Sequence, residues 1–214
     1  MVMTQPLCVF HQQPEECAVV DLNPFRESVR ASFATELEQI TAADLRDRVV
    51  EAWAYSLSQS EFTSIEEIRA SGNPTTPVLI DGTQTHHIRG VARMAHGLAD
   101  GLEQVHGDIG IDRDLLWACA LCHDVGKPYE FSPGNQERWL KDIGASGYPA
   151  IRHSVYGVHA ALTAGLPEAV AHTAGAHSAE GDLILRSLEN TLVHYADKAY
   201  WHALDRANRL ANAE

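Results

Sequence analysis

Apolar positions recur at helical spacing along almost the whole chain. Asn23-Pro24 opens a helical pattern running through Phe33 and Leu37, and Thr41-Ala42-Ala43-Asp44 opens a second, carried by Leu45, Val49, Trp53 and Leu57. A third short helix is expected from Ser64 to Ala70. The stretch from Ser71 to Pro77 breaks the pattern, and Pro77 to Asp81 reads as extended. From Gln84 onward helix follows helix, without the alternating run that signals a sheet. The predicted fold class is all-α, with a helical extension over residues 1–80 packed on a core domain over residues 81–214.

Beyond Gln84 the pattern assigns faces. Val91, Met94 or Ala95, Leu98, Leu102 and Val105 share one helical face, and His87 lies four residues before Val91 on it. His86, His96 and His106 fall off that line. Asp112 is a good N-cap for a helix ending near His123-Asp124, where Gly126 is expected to supply a left-handed turn. Val125 to Ala150 is rich in glycine and proline and predicts mostly loop around a short helix near Gln136 to Asp142, a natural substrate cover. A helix from near Ile151 aligns His153 with Gly157 and Ala164. Leu166-Pro167-Glu168 opens another, with Val170, Ala174 and His177 facing inward. A last helix, about Asp182 to Ala207, sets Asp197 in line with Val193, Tyr200 and Leu204. A carboxylate on an apolar face needs a partner or a metal.

Composition narrows the possible chemistry. With 214 residues, 45% of them hydrophobic, the chain can bury a sizeable core. A net charge of -13 repels nucleic acid, while a bound metal could still attract a small anion. Met1 to Phe10 does not read as a secretory signal, and no run approaches the roughly 20 apolar residues that cross a bilayer. A soluble, cytoplasmic protein with no membrane partner is expected. Four cysteines, Cys8, Cys17, Cys119 and Cys122, are too few for a disulfide scaffold. Cys119 and Cys122 lie in a segment apolar on every side, which favours a buried helix over a thiolate site. Eleven of twelve histidines lie at or beyond His86. The histidine-poor residues 1–80 are either a cap on the core or a homodimer surface, and both readings stay open.

One buried histidine is ordinarily a satisfied core residue. His87, His123-Asp124, His153, His177 and Asp197 all fall on inward faces of successive helices, and that joint placement points to a metal site. His194, one turn before Asp197, reads as a supporting or structural residue.

The same residues resemble the HD superfamily of metal-dependent phosphohydrolases over about Gln84 to Leu204. His87-Ile-Arg-Gly-Val-Ala matches its opening His-x3-Val-Ala, His123-Asp124-Val-Gly-Lys127 matches HDxGK, and Tyr195-Ala-Asp197-Lys198 matches its closing aspartate helix. Arg152-His153 through His177-Ser178 looks like the middle segment of members that hold two ions. The resemblance implies a bundle of about five core helices. It also implies one ion on His87, His123, Asp124 and Asp197, with Asp124 bridging to a second on His153 and His177. Imidazole and carboxylate ligands suit Fe, Mn, Zn, Co or Ni.

Two such ions imply phosphoester hydrolysis by a bridging hydroxide. Asp124 and Lys127 would then be catalytic, Lys127 and Arg152 would contact a small anionic substrate, and Arg89 could supplement them. Gly147-Tyr148-Pro149 spells the mark of the HD-GYP branch but precedes His153 instead of following His177, and reads as a simple turn. HD members similar to myo-inositol oxygenase or to the phosphonate-cleaving oxygenases place two irons on the same ligands, so a di-iron oxygenase acting on a polyol or phosphonate is the alternative. A non-enzymatic sensor on an inactive HD core is the third reading.

Overall fold

The computed structural model describes residues 20–212. Cys8, Cys17, His11 and the expected reading of the amino terminus lie outside the described residues. Helix α1 (Asn23–Ser32) starts with Pro24 in its first turn, where a missing N–H costs nothing. A break at Phe33 separates it from the short α2 (Ala34–Leu37), and α3 (Ala43–Ser58) follows. The helix expected from Ser64 to Ala70 is a single 3-10 turn, Ile65–Glu67, running into strand β1 (Arg69–Ser71). β1 pairs antiparallel with β2 (Val78–Thr83), the extended stretch anticipated after Pro77. The chain also returns to this sheet after its last helix, where β3 (Leu210–Ala211) pairs with β2. This small sheet escapes the pattern because its strands are two to six residues long.

The rest is helical: α4 (Gln84–His106), α5 (Arg113–Cys122), α6 (Lys127–Phe131), α7 (Pro133–Lys141), α8 (Ile143–Ser146), α9 (His153–Thr163), α10 (Glu168–Ala176) and α11 (Leu188–Arg206). The fold is all-α, as expected. Val125 to Ala150 is mostly helix, which corrects the loop reading. Pro128 and Pro133 each sit in the first turn of a helix, so they open α6 and α7. The last helix begins six residues later than expected, because Asp182 to Ser187 is non-helical and the Ser187 side chain caps α11 by accepting from the Asn190 N–H.

α5 is the central helix, packed against α3, α4, α10 and α11. Its residues from Leu116 to Cys122, Trp117 excepted, are buried, which suits a segment apolar on every side. Asp112 caps its start by accepting from the Leu115 N–H at 3.0 Å. Trp53 of α3 donates its indole N–H to the Leu121 carbonyl at 2.9 Å, satisfying an orphan acceptor of the last turn. The amino-terminal helices thereby brace the turn that carries His123-Asp124. Burying a side chain as large as Trp53 stabilises the contact by roughly 1.5–3 kcal/mol.

The inward face of α4 differs from the expected one. His87, Ile88, Val91, Ala92, Ala95, His96 and Ala99 are buried, whereas Leu98, Leu102 and Val105 are exposed. Leu98 is exposed beside the fully buried Ala99, so the covered face is turned away from the Leu98 line. Among the described residues no helix is long and apolar enough to cross a membrane.

Candidate metal centre

The site assembles at helix ends. His87 projects from the first turn of α4, His153 is the first residue of α9, and His123 and His177 follow the last residues of α5 and α10. Asp197 reaches in from the middle of α11. Gly126 does not adopt the expected left-handed turn. Its φ is -84° and ψ is -5°, which any residue could adopt. Glycine is needed there because a Cβ would lie 2.1 Å from the His153 carbonyl oxygen and 2.7 Å from the Gly157 nitrogen. That close approach sets His153 beside His123-Asp124.

All six predicted ligands converge, and Asp124 is their centre. Its Oδ2 lies 3.2 Å from His87 Nε2 and 3.5 Å from His123 Nε2; its Oδ1 lies 3.2 Å from His153 Nε2 and 3.5 Å from His177 Nε2. Asp197 Oδ1 is 3.4 Å from His87 Nε2, is buried, and has no hydrogen-bond partner. The ligand atoms of His87, His123 and Asp197 form one group within metal-binding reach, and those of His123, Asp124 and His177 form another.

The outer ring nitrogens leave the inner ones available as ligands. His123 Nδ1 donates to the Ala120 carbonyl at 2.7 Å, His177 Nδ1 to the Ala174 carbonyl at 3.0 Å, and His153 Nδ1 to the Glu130 carboxylate. Each bond puts the ring proton outside, leaving an Nε2 lone pair aimed at a carboxylate oxygen. Lone pairs facing lone pairs repel unless a cation or proton lies between them. The donor set therefore fits metal ions.

Protonation follows the same geometry. Burial above all pushes the His123 and His153 pKa down to about 4, so both imidazoles are neutral and able to ligate at neutral pH. Burial opposes ionisation of Asp124, but Lys127, His123 and His153 hold it well below the usual carboxylate range. Burial also works against a charged His177, yet its bond to Asp124 raises its pKa overall.

The other predicted residues are placed as follows. Lys127 is buried beside the cluster, but it donates to the Ser71 and Gly72 carbonyls at 2.5 and 2.7 Å, with its ammonium 4.9 Å from the centre of the Phe131 ring. Arg152 lines the cavity, held by Glu130 and, at 2.9 Å, by Glu180. Arg89 does not reach the site; it pairs with Glu36. His194 hydrogen-bonds the His177 carbonyl. His96 is buried against Trp117, and His86 forms a capping box with Thr83. Burial raises the thiol pKa of Cys119 to about 12 and pushes that of Cys122 up as well, so neither offers a thiolate. Gly147, at φ 75°, closes α8, and Tyr148 is not among the cavity's lining residues.

Several contributing residues gave no sequence signal. Gln84 donates to Asp124 Oδ2 at 2.6 Å, Glu130 backs His153, and Trp201 stacks on His87 with ring centres 4.7 Å apart. Glu130 lies three residues after Lys127, one helical turn on, which is the only hint that it shares the site face. A cavity of about 230 Å³ opens over the cluster, lined by Asp124, Lys127, Arg152, His153, His177, Asp197 and Trp201 and by Gly72 and Asn73 of the turn between β1 and β2.

This chain is 29% identical over 189 residues to a dihydroneopterin 2',3'-cyclic phosphate phosphodiesterase from Methanocaldococcus jannaschii, covering 82% of this chain and 70% of that protein. No solved structure matches it significantly. The HD domain family matches residues 85–200, from the turn before His87 to just past Asp197, and over more than half of its length the chain belongs to that family.

Proposed function

We propose that this protein is a two-metal phosphohydrolase that opens small phosphodiesters, with 2',3'-cyclic phosphates as the first substrate class to test. One observation carries the reading. The two oxygens of Asp124 face two different pairs of imidazole nitrogens, all within 3.5 Å, an arrangement that would suit a carboxylate shared between two ions. His87, His123 and Asp197 would hold one ion with Asp124 Oδ2, and His153 and His177 the other with Oδ1. The named activity of the archaeal relative supports the choice of a cyclic diester.

Two ions bound there would lower the pKa of a water between them and neutralise charge growing on the phosphoryl oxygens. In the net reaction water adds to phosphorus, one P–O ester bond breaks, and the departing oxygen takes a proton to leave a phosphomonoester. The chain's own groups orient the substrate. Glu130 and Glu180 hold Arg152 by Nη1 and Nε, which leaves its remaining guanidinium N–H groups, at the cavity lining, as donors for a phosphoryl oxygen. Lys127 has two of its three N–H groups occupied; the third can reach the Asp124 side, where Oδ1 is 4.0 Å away. The Trp201 ring, which also lines the cavity, offers apolar area to the organic part of a substrate. The small cavity and the charge of -13 favour a small anion over nucleic acid.

The test is anaerobic hydrolysis of 2',3'-cyclic AMP and of bis(p-nitrophenyl) phosphate by Mn²⁺-loaded protein, beside an Asp124→Ala variant. Diester opening that is lost in the variant together with its metal is the expected result. Oxygen consumption with a polyol or phosphonate, and no phosphoester cleavage, would overturn the hydrolase reading.

A further inference from the structure

Glu130 is a fully buried carboxylate. Its three donors are the His153 backbone N–H at 2.8 Å, His153 Nδ1 and Arg152 Nη1. It contacts neither the cavity nor the inner nitrogens of the cluster. We propose that Glu130 is the positioning residue for the ion held by His153 and His177, acting on that ion through His153; the inference rests on the two-ion reading above.

Two observations carry it. The first is the asymmetry among the four inward imidazoles. His123 and His177 are backed by neutral carbonyls at 2.7 and 3.0 Å, and His87 Nδ1 is buried without a partner. His153 alone is backed by a carboxylate, the kind of partner that fixes the tautomer and raises the basicity of a ligating nitrogen.

The second is charge. Asp124 Oδ1, the oxygen facing His153 and His177, also lies 4.0 Å from the Lys127 ammonium, and Arg152 adds a second cation next to His153. An ion on that side therefore meets two fixed positive charges. Glu180 balances Arg152 from the rim, with a partly exposed side chain. Glu130 supplies the buried negative charge on the side away from the cavity. Without it, His153 would be free to turn and the local charge would oppose a second cation.

The proposal is tested by calorimetric titration of metal-free protein with Mn²⁺, an elemental count after desalting, and a melt of the metal-free form to confirm folding. Wild type should take two ions. Glu130→Ala should keep one at unchanged affinity and bind the other about 10- to 100-fold more weakly. Glu130→Gln, which can still accept from Nδ1 but carries no charge, should fall between. Arg152→Ala, which leaves the Glu130–His153 bond in place, should keep both. Two ions at wild-type affinity in Glu130→Ala overturn the proposal, as does loss of the second ion in Arg152→Ala to the same extent. Should Glu130→Ala not fold, Glu130→Gln decides: a weakened second step supports the proposal and an unchanged one overturns it. A wild type that binds a single ion overturns the two-ion reading, and this proposal with it.

Discussion

Gln84 and Asp124 are joined by a 2.6 Å hydrogen bond from the Gln84 side-chain amide to Asp124 Oδ2, across 40 positions of sequence. Both residues are buried. The bond ties the start of α4 to the turn after α5, and it sets the rotation of the carboxylate. With the amide holding Oδ2, Oδ2 stays toward His87 and His123, and Oδ1 is left to His153 and His177.

Gln84→Leu, close in size but without a donor, should therefore weaken metal binding without unfolding the protein. Loss of a partner that orients a ligand typically costs 10- to 100-fold in affinity. Mn²⁺ titration of the variant measures it. Unchanged affinity would show that the imidazoles alone fix the Asp124 rotamer.

The six candidate ligands, which the fold brings together, were legible in the sequence for a physical reason. Each sits on or just beyond a helix, so its direction can be read from helical spacing, although Leu98, Leu102 and Val105 of the expected inward face of α4 are exposed. The residues that support them were not. Gln84, Glu130 and the Ser71 and Gly72 carbonyls matter through contacts between distant segments, and nothing local marks a glutamate as buried. Gly126 shows the same limit: its glycine suggested a left-handed turn, whereas the requirement is space beside the backbone of α9. Pro128 and Pro133 make the stretch after Lys127 look like loop, whereas each starts a helix, since the position of a proline relative to a helix end decides its effect.

Two glycine substitutions should move stability in opposite directions. Gly126→Ala places a methyl group 2.1 Å from the His153 carbonyl oxygen, so α6 and α9 must separate, at a cost of about 1–3 kcal/mol for overpacking. Gly97 lies exposed in α4 with nothing within 4 Å of an added Cβ, and Gly97→Ala should stabilise by about 0.5–1 kcal/mol. Urea unfolding of the metal-free proteins compares them. Equal midpoints for the two variants would refute the close-approach explanation of Gly126.

His96 predicts an acid-sensitive step outside the metal centre. Its ring is buried against Trp117, with centres 3.9 Å apart, and burial followed by the charge of Arg113 lowers its pKa to about 4. The unfolded chain, with an ordinary value near 6.5, takes up the proton first. Stability contributed by neutral His96 is thus fully present above about pH 6.5 and is lost as pH falls toward 4. His96→Phe keeps the stacking and removes the titration. In metal-free protein its unfolding midpoint should fall less between pH 7 and pH 5 than that of wild type, and parallel losses in the two proteins would count against His96 as a source.

Lys127 is where a structural role and a substrate role can be separated. Its ammonium bonds to Ser71 and Gly72 tie the β1–β2 turn to the edge of the cavity, and that turn contributes Gly72 and Asn73 to the lining. Lys127→Met should leave the buried Ser71 carbonyl and the partly buried Gly72 carbonyl without their charged donor, at a cost of about 1.5–3 kcal/mol for the buried bond and less for the other. Faster amide exchange confined to the β1–β2 turn and a lower urea midpoint are the expected signs. A residue serving only to contact phosphate would instead raise KM while leaving exchange and stability alone. Because the third N–H of Lys127 can still reach the cavity, the variant should also lose kcat/KM on a cyclic diester, and part of that loss should remain when the assay temperature is lowered to restore the fold. If activity recovers fully under those conditions, Lys127 holds the turn and does not touch the substrate.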